Sequence, residues 1–310
     1  MNMALEKLLG NIKSVIMGEE ENLQYILIAL LSEGHVLLEG LPGVGKTKMA
    51  LALSKSIEGK FKRLQFTPDV LPSDVTGYYL YNKQSAQMEY RPGAAMCNIL
   101  LADEINRTSP RVQSSLLEVM EEKQVTVEGK TMKLEPPFMV IATQNSIENE
   151  GTYPLPEAQL DRFFMKLHIK YPNRNNWKKI IDCYQMEDPV ASLEPVMSLE
   201  ALNEVKELMK DIFVAEPLKD YILDLVETIN SSEVVDMGIN PRGSIALVKG
   251  AKAWALLQGR GYVLPDDVQK VIMPIFAHRI KLKASYQVQD EHKERIIREA
   301  LAKVKVPVKA

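Results

Sequence analysis

Eight consecutive residues, Gly40, Leu41, Pro42, Gly43, Val44, Gly45, Lys46 and Thr47, constrain this chain more than anything else in it, because they complete the pattern GxxxxGK[ST]. The apolar run His35, Val36, Leu37 and Leu38 precedes them and the helix-forming stretch MALALSKSI follows, which supplies the strand–loop–helix setting the pattern needs. Gly40, Gly43 and Gly45 tolerate backbone conformations that bulkier residues resist. Successive N–H groups can then turn inward and wrap a row of phosphates at the positive end of the helix. In that arrangement Lys46 reaches the β- and γ-phosphates and the Thr47 hydroxyl holds Mg²⁺. The loop as a whole, with Lys48 beside it, is therefore assigned to nucleotide binding. A glycine-rich turn before a surface lysine would explain the glycines but not the flanking elements.

Five β-rich runs, at 35–39, 61–66, 98–102, 138–143 and 165–169, alternate with helical stretches up to about Tyr171. Buried strands joined through helices predict an α/β core, a five-stranded parallel sheet between helices. After Tyr171 and Pro172 the β-runs cease. Ser198 followed by LEALNEVKELM, and the segments 217–229, 241–257 and 265–280, carry helical periodicity with Ser or Pro near their starts. We read a core domain over 1–190 and a smaller all-α domain over 191–310. Two inserts interrupt the core. Residues 77–93 have two β-prone arms around a polar centre, and 124–134 alternate valine with polar residues around Glu128, Gly129 and Lys130, so both are expected to be hairpins. At least half of Tyr78, Tyr79, Tyr81, Met88 and Tyr90 are expected to pack the first hairpin onto the core.

Ile99, Leu100, Leu101 and Ala102 carry a buried strand to the sheet's C-terminal edge, where Asp103 and Glu104 emerge beside the loop that leaves the first strand. Acid pairs after apolar strands are common as solvated ends, but next to a phosphate loop they have a chemical use. Asp103 can hold Mg²⁺ through its water shell, and Glu104 can orient and deprotonate an attacking water. A second buried run ends in Gln144 and Asn145, whose amide can help position that water, the alternative being a turn amide at a strand end. Arg162 sits between apolar residues just before the last strand, placed either for an ion pair or to project toward a neighbouring subunit.

A formal net charge of −3 argues against a globally basic nucleic-acid binder. The run Ile26 to Leu31 is far too short to span a bilayer, and the first ten residues lack a secretory pattern, so a cytoplasmic protein without membrane insertion is expected. Cys97 and Cys183 have no metal-ligand spacing and are expected to be buried free thiols.

Together these residues resemble the AAA+ ATPases, and within them the MoxR family, almost end to end. GLPGVGKT is similar to the family's Walker A segment, LLADE to its Walker B, ATQN to its sensor 1 and LPEAQLDRFF to the segment with its arginine finger. LQFTPDVLPSDVTG, DEINRTSPRVQSSLLEVMEEKQVTVEG and NPRG resemble MoxR more narrowly. The resemblance implies a P-loop AAA+ core followed by a helical lid, ATP and Mg²⁺ as cofactors, and hydrolysis in a homohexameric ring. It also implies a chaperone-like role in remodelling or activating partner proteins, often ones with a von Willebrand factor A domain. By the same resemblance Asn145 is sensor 1, Arg162 the arginine finger and Arg242 the sensor 2 arginine, in its own or a neighbour's site. Arg242 follows Pro241 at a helix start, where a cation opposes the dipole unless an anion is near, and phosphate is the anion expected. Ile16 and Gly18 resemble the segment that packs against adenine, the first hairpin the pore-facing helix-2 insert, and the second the pre-sensor-1 hairpin. Gln65 is the nearest match to the polar residue that restrains the catalytic glutamate in many AAA+ proteins. DNA-translocating helicases, the ATPase subunit of magnesium chelatase, and an ATP-bound switch without turnover remain as competing readings.

Overall fold

The structure, a computed structural model, describes residues 3–145, 151–185, 188–286 and 291–307. Its centre is a sheet of five strands: β1 (Val36–Gly40), β2 (Phe61–Gln65), β3 (Ile99–Asp103), β4 (Met139–Asn145) and β5 (Met165–Ile169). They stand in the order β5-β1-β4-β3-β2, and every pairing is parallel. A parallel sheet is covered on both faces, so its central strands read as apolar runs, yet their side chains still alternate. Leu37, Leu100, Ala102, Val140 and Ala142 enter one apolar layer with helix Pro110–Glu122. Val36, Leu38, Leu101 and Ile141 enter the other, which is continuous with helices Glu20–Leu31 and Lys46–Lys55 and with the C-terminal helices.

The sheet's two edges receive different connections. Loops leaving the C-terminal ends of β1, β3 and β4 meet where neighbouring strands part to opposite sides, the place where α/β sheets form a crevice. The N-terminal edge lies about five residues of strand away, roughly 15 Å.

Both inserts are antiparallel hairpins, Gly77–Asn82 with Gln87–Pro92 and Gln124–Val127 with Lys130–Lys133. Glu128 and Gly129, at φ 49° and 76°, form a two-residue turn with both central residues left-handed, which suits the twist of a tight hairpin. In the first hairpin only Tyr79 and Tyr90 pack, ring against ring at 5.5 Å. Tyr78, Tyr81 and Met88 are exposed, contrary to the expectation that most of the five would be covered. Tyr81 and Met88 continue the face of Tyr79 and Tyr90 toward the turn, and Tyr78 lies on the opposite face, so the ribbon leaves residues of both faces to solvent.

The C-terminal helices Leu199–Leu208, Glu216–Asn230, Pro241–Leu257, Pro265–Phe276 and Glu291–Lys303 begin largely where Ser, Asn and Pro place them. Ser198 accepts from the Ala201 N–H and Asn240 from that of Gly243. The β-runs do not cease entirely after Tyr171. Met197–Ser198 pairs with Ile57–Glu58, and Val235–Met237 with Lys281–Leu282. Pieces of two or three residues have no period to read. Cys97 and Cys183 are both free, but only Cys97 is buried, and burial pushes its thiol up to about 12. No helix among the described residues is long and apolar enough to cross a membrane.

Candidate functional site

The phosphate loop lies at the crevice, between β1 and helix Lys46–Lys55. Gly43 and Gly45 hold φ of 79° and 95°, conformations that favour glycine, and no described heavy atom lies within 4 Å of where a Cβ on either would stand. Gly40 serves differently: a Cβ there would stand 2.4 Å from the Ile169 carbonyl oxygen, so it is needed for close strand packing. Leu41 lines the adjoining cleft and Pro42 is exposed on the crest of the loop. Lys46 is buried, and its Nζ donates to the carbonyl oxygens of Gly40 (2.5 Å) and Gln144 (3.0 Å) and to Asn145 Oδ1 (2.7 Å).

Asn145 joins that lysine to the acid pair, because its Nδ2 donates to Glu104 Oε1 at 3.2 Å. Glu104 has a left-handed backbone, φ 58°, which turns the chain sharply off β3. Its N–H donates to Thr143 Oγ1 at 2.9 Å, and its Oε2 accepts from Gln65 Nε2 at 2.7 Å and from Arg107 NH1 at 2.9 Å. Gln65 thus makes the contact that its place on β2 suggests. Asp103 is buried, and its Oδ1 accepts from the Thr143 hydroxyl at 2.6 Å. The Thr47 hydroxyl stands 3.3 Å from Asp103 Oδ2. A hydroxyl and a carboxylate facing each other beside an open anion-binding loop form a donor set that fits Mg²⁺ and its phosphate ligands.

Sequence reasoning missed Thr143, Arg107 and Arg63. Arg63 on β2 grips Asp103 Oδ2 through NH2 at 2.7 Å and Nε at 3.2 Å. The register pairs Gln65 with Asp103, and Arg63 shares a strand face with Gln65, but that pairing is not visible before the strand order is known.

On the other side of the loop, Val15, Ile16, Val44, Lys48, Trp177 and Tyr184 line a cavity of about 310 Å³. Ile16 therefore forms part of an apolar wall beside the loop. Gly18 lines the neighbouring cleft, and its close approach is to Asn176, whose Nδ2 would stand 2.1 Å from an added Cβ. Lys48 pairs with Asp188 and lies 5.5 Å from the Tyr184 ring centre. Tyr171 stacks on Trp177 at 5.9 Å, an aromatic pair that the spacing of the sequence does not announce.

Arg162 and Arg242 stand together, and not with the phosphate loop. Arg162 precedes β5, at the N-terminal edge of the sheet, where the Phe164 N–H donates to the His35 carbonyl. Its NH1 donates to the Leu117 carbonyl at 3.0 Å and pairs with Glu121 Oε2 at 3.1 Å. Arg242 pairs with the other oxygen of Glu121, and its NH1 lies 3.6 Å from Asp161 Oδ2. The anions beside Arg242 are thus two carboxylates of its own chain, where phosphate was expected. Asp161 is itself tied to Arg279 Nε at 2.9 Å. Burial pulls Arg279 down to about 10 against the opposing field of Asp161. Arg279 also donates to the Phe163 carbonyl at 2.7 Å, which fastens the helical region to this edge.

A five-stranded parallel sheet in this order, with a phosphate loop after β1, an acid pair at the end of β3, an amide at the end of β4 and a helical lid, defines a P-loop AAA+ ATPase. The family model for ATPases associated with various cellular activities matches residues 35–165, and the AAA lid domain model matches residues 227–300. The chain is 49% identical to the uncharacterized protein YeaC of Bacillus subtilis, over 98% of this chain and 95% of that one. It is 38% identical to the chaperone MoxR1 of Mycobacterium tuberculosis, over 98% of this chain and 82% of that one. A crystal structure of a "putative ATPase" from Cytophaga hutchinsonii superposes with a TM-score of 0.90 at 36% identity, covering 98% of this chain and 95% of the other. The chain belongs to the MoxR family of AAA+ ATPases.

Proposed function

We propose that this protein hydrolyses ATP with Mg²⁺ at sites shared between subunits of a ring, and uses the cycle to remodel or activate partner proteins. The observation that carries this reading is the separation of the two charged sets. Lys46, Asp103, Glu104 and Asn145 gather at one edge of the sheet, Arg162 and Arg242 at the other, and one subunit cannot bring them onto a single phosphate.

In the proposed site the loop N–H groups and Lys46 hold the β- and γ-phosphates, and Thr47 with Asp103 hold Mg²⁺. Bound there, Mg²⁺ would neutralise phosphate charge as it builds during transfer. Glu104 takes the proton of the attacking water as its oxygen bonds to the γ-phosphorus. The bond to the bridging oxygen breaks, giving ADP and phosphate. Asn145 keeps Lys46 and Glu104 at a fixed spacing across the reacting centre. Arg162 and Arg242 of a neighbouring subunit would leave Glu121 and Asp161 for the γ-phosphate and stabilise its transferring charge. Val15, Ile16, Gly18 and the Trp177 side of the cavity would receive the base.

Similarity to the chaperone MoxR1 supports the remodelling role. We assign partners with a von Willebrand factor A domain, a homohexamer and a cytoplasmic setting on the family resemblance. The exposed Tyr81 and Met88, opposed on one face of the first hairpin, and Tyr78 on the other supply apolar contacts for a polypeptide. The core and lid boundary near residue 190 and the roles of the site residues belong to the same proposal. It is tested by following Mg²⁺-dependent ATP hydrolysis against protein concentration, with mass from light scattering. Specific activity should rise with assembly and stay unchanged on adding nucleic acid, whereas a monomer equally active at every concentration would contradict it.

A further inference from the structure

Arg63 is half-exposed on β2, yet its guanidinium is committed to a buried carboxylate of the site. Asp103 Oδ2 accepts both Arg63 contacts, and the same oxygen faces the Thr47 hydroxyl at 3.3 Å. Asp103 has little freedom to move, with its side chain 8% exposed and its other oxygen held by Thr143 at 2.6 Å. Arg63 has more room to move, being a long side chain that is half-exposed. Its NH2 also donates to Gln65 Oε1 at 2.9 Å, which offers a resting place that does not involve Asp103.

We infer that Arg63 is a positioning residue, the resident counter-ion of Asp103 in the nucleotide-free subunit, which a divalent cation must displace to bind between Thr47 and Asp103. This rests on the nucleotide site proposed above. A guanidinium and a metal ion sharing one carboxylate oxygen repel each other, and both cannot be held at full strength. Without Arg63, Asp103 would be a buried carboxylate whose side-chain partners among the described residues are the Thr47 and Thr143 hydroxyls, so its counter-ion has a use before the metal arrives. The arrangement makes metal entry a competition, and lets the site keep its shape between turnovers.

The test uses the full chain and a non-hydrolysable ATP analogue. Thermal unfolding is followed across a Mg²⁺ titration at one saturating analogue concentration, so that Mg²⁺ binding by the free analogue is the same for every variant. Arg63→Gln should lower the Mg²⁺ concentration for half-maximal stabilisation by roughly three- to fivefold, the scale of a half-exposed ion pair. It should also lower the midpoint in EDTA without analogue, so that the increment given by Mg²⁺ and analogue together exceeds that of the wild type. A residue with only a structural role would lower both midpoints alike and leave the Mg²⁺ dependence where it was. That result, or a Mg²⁺ requirement raised in Arg63→Gln, would overturn the inference. Arg63→Lys keeps the charge but not the fork and should shift the requirement in the same direction by less. It decides the question if Arg63→Gln does not fold. Failure of the wild type to bind the analogue would sink the nucleotide site, and this inference with it.

Discussion

The two edges of the sheet hold opposite chemistry in different states of readiness. At the C-terminal edge Asp103, Glu104, Lys46 and Asn145 are buried or half-buried, Asn145 bridging Lys46 and Glu104 while Thr143 links Asp103 to the Glu104 N–H. At the N-terminal edge Arg162 and Arg242 are partly exposed and rest on Glu121 and Asp161. Carboxylates there occupy the positions beside the arginines that a neighbour's phosphates would take. One subunit thus holds two charged sets at opposite edges of the sheet, and in the proposed assembly a head-to-tail contact between copies would join them, as such contacts close into rings when the rotation permits.

The largest expected effect comes from dividing the halves. Arg162→Ala should lower turnover by about 10³-fold or more, the scale of a finger that stabilises transferring phosphate, while ATP binding to the isolated subunit is little changed. Steady-state hydrolysis beside equilibrium binding checks this, and full activity in an assembled preparation would break the comparison. Glu104→Gln at the other edge should lower turnover by roughly 10²- to 10⁴-fold with ATP still bound. The check is single-turnover hydrolysis of pre-bound ATP.

Acid should loosen the arginine edge through its buried histidines. His35 donates or accepts at both ring nitrogens, to the Met120 carbonyl and from the Val140 N–H, and burial lowers its pKa to about 4. The fold holds the neutral ring, so its contribution is complete above the ordinary pKa near 6.5 and is lost as pH falls from there toward 4. The loss amounts to about 3 kcal/mol at most at the lower end. Burial lowers His278 in the same sense. Glu33, lowered to about 2 by Lys123 and Lys206 against its own desolvation, loses its contribution only below about pH 4.5. Thermal midpoints should therefore already fall between pH 6.5 and 5, and a flat profile there would contradict the assignment.

Glu121→Gln should give the smallest effect. It frees Arg162 and Arg242 from a partly exposed partner, so the protein concentration for half-maximal specific activity should drop by roughly two- to fivefold. A rise would mean that Glu121 helps assembly.

Much of this was legible in the sequence because parallel strands are covered on both faces and read as apolar runs ending in polar residues. Asp103, Glu104 and Asn145 were found at such ends, and Gly40 to Thr47 by a fixed spacing. What could not be read depends on neighbours in space. Arg63 lies in Phe61–Gln65, a strand of mixed character on the sheet's edge, and nothing in its spacing points to Asp103 until β2 is known to pair with β3. Glu121 and Asp161 meet Arg242 only because helix Pro110–Glu122 returns to the far edge and the helical region docks there. The packing role of Gly40 and the contact of Gly18 with Asn176 likewise follow from what lies opposite each.

The most direct test of the shared site mixes two inactive proteins. Arg162→Ala subunits retain Glu104, and Glu104→Gln subunits retain Arg162, so in a ring assembled at random from equal amounts about a quarter of the interfaces would be intact. Hydrolysis should return on mixing, toward that fraction of wild-type activity. Mixed rings that form, as verified by mass, and yet stay as inactive as either variant alone would contradict it.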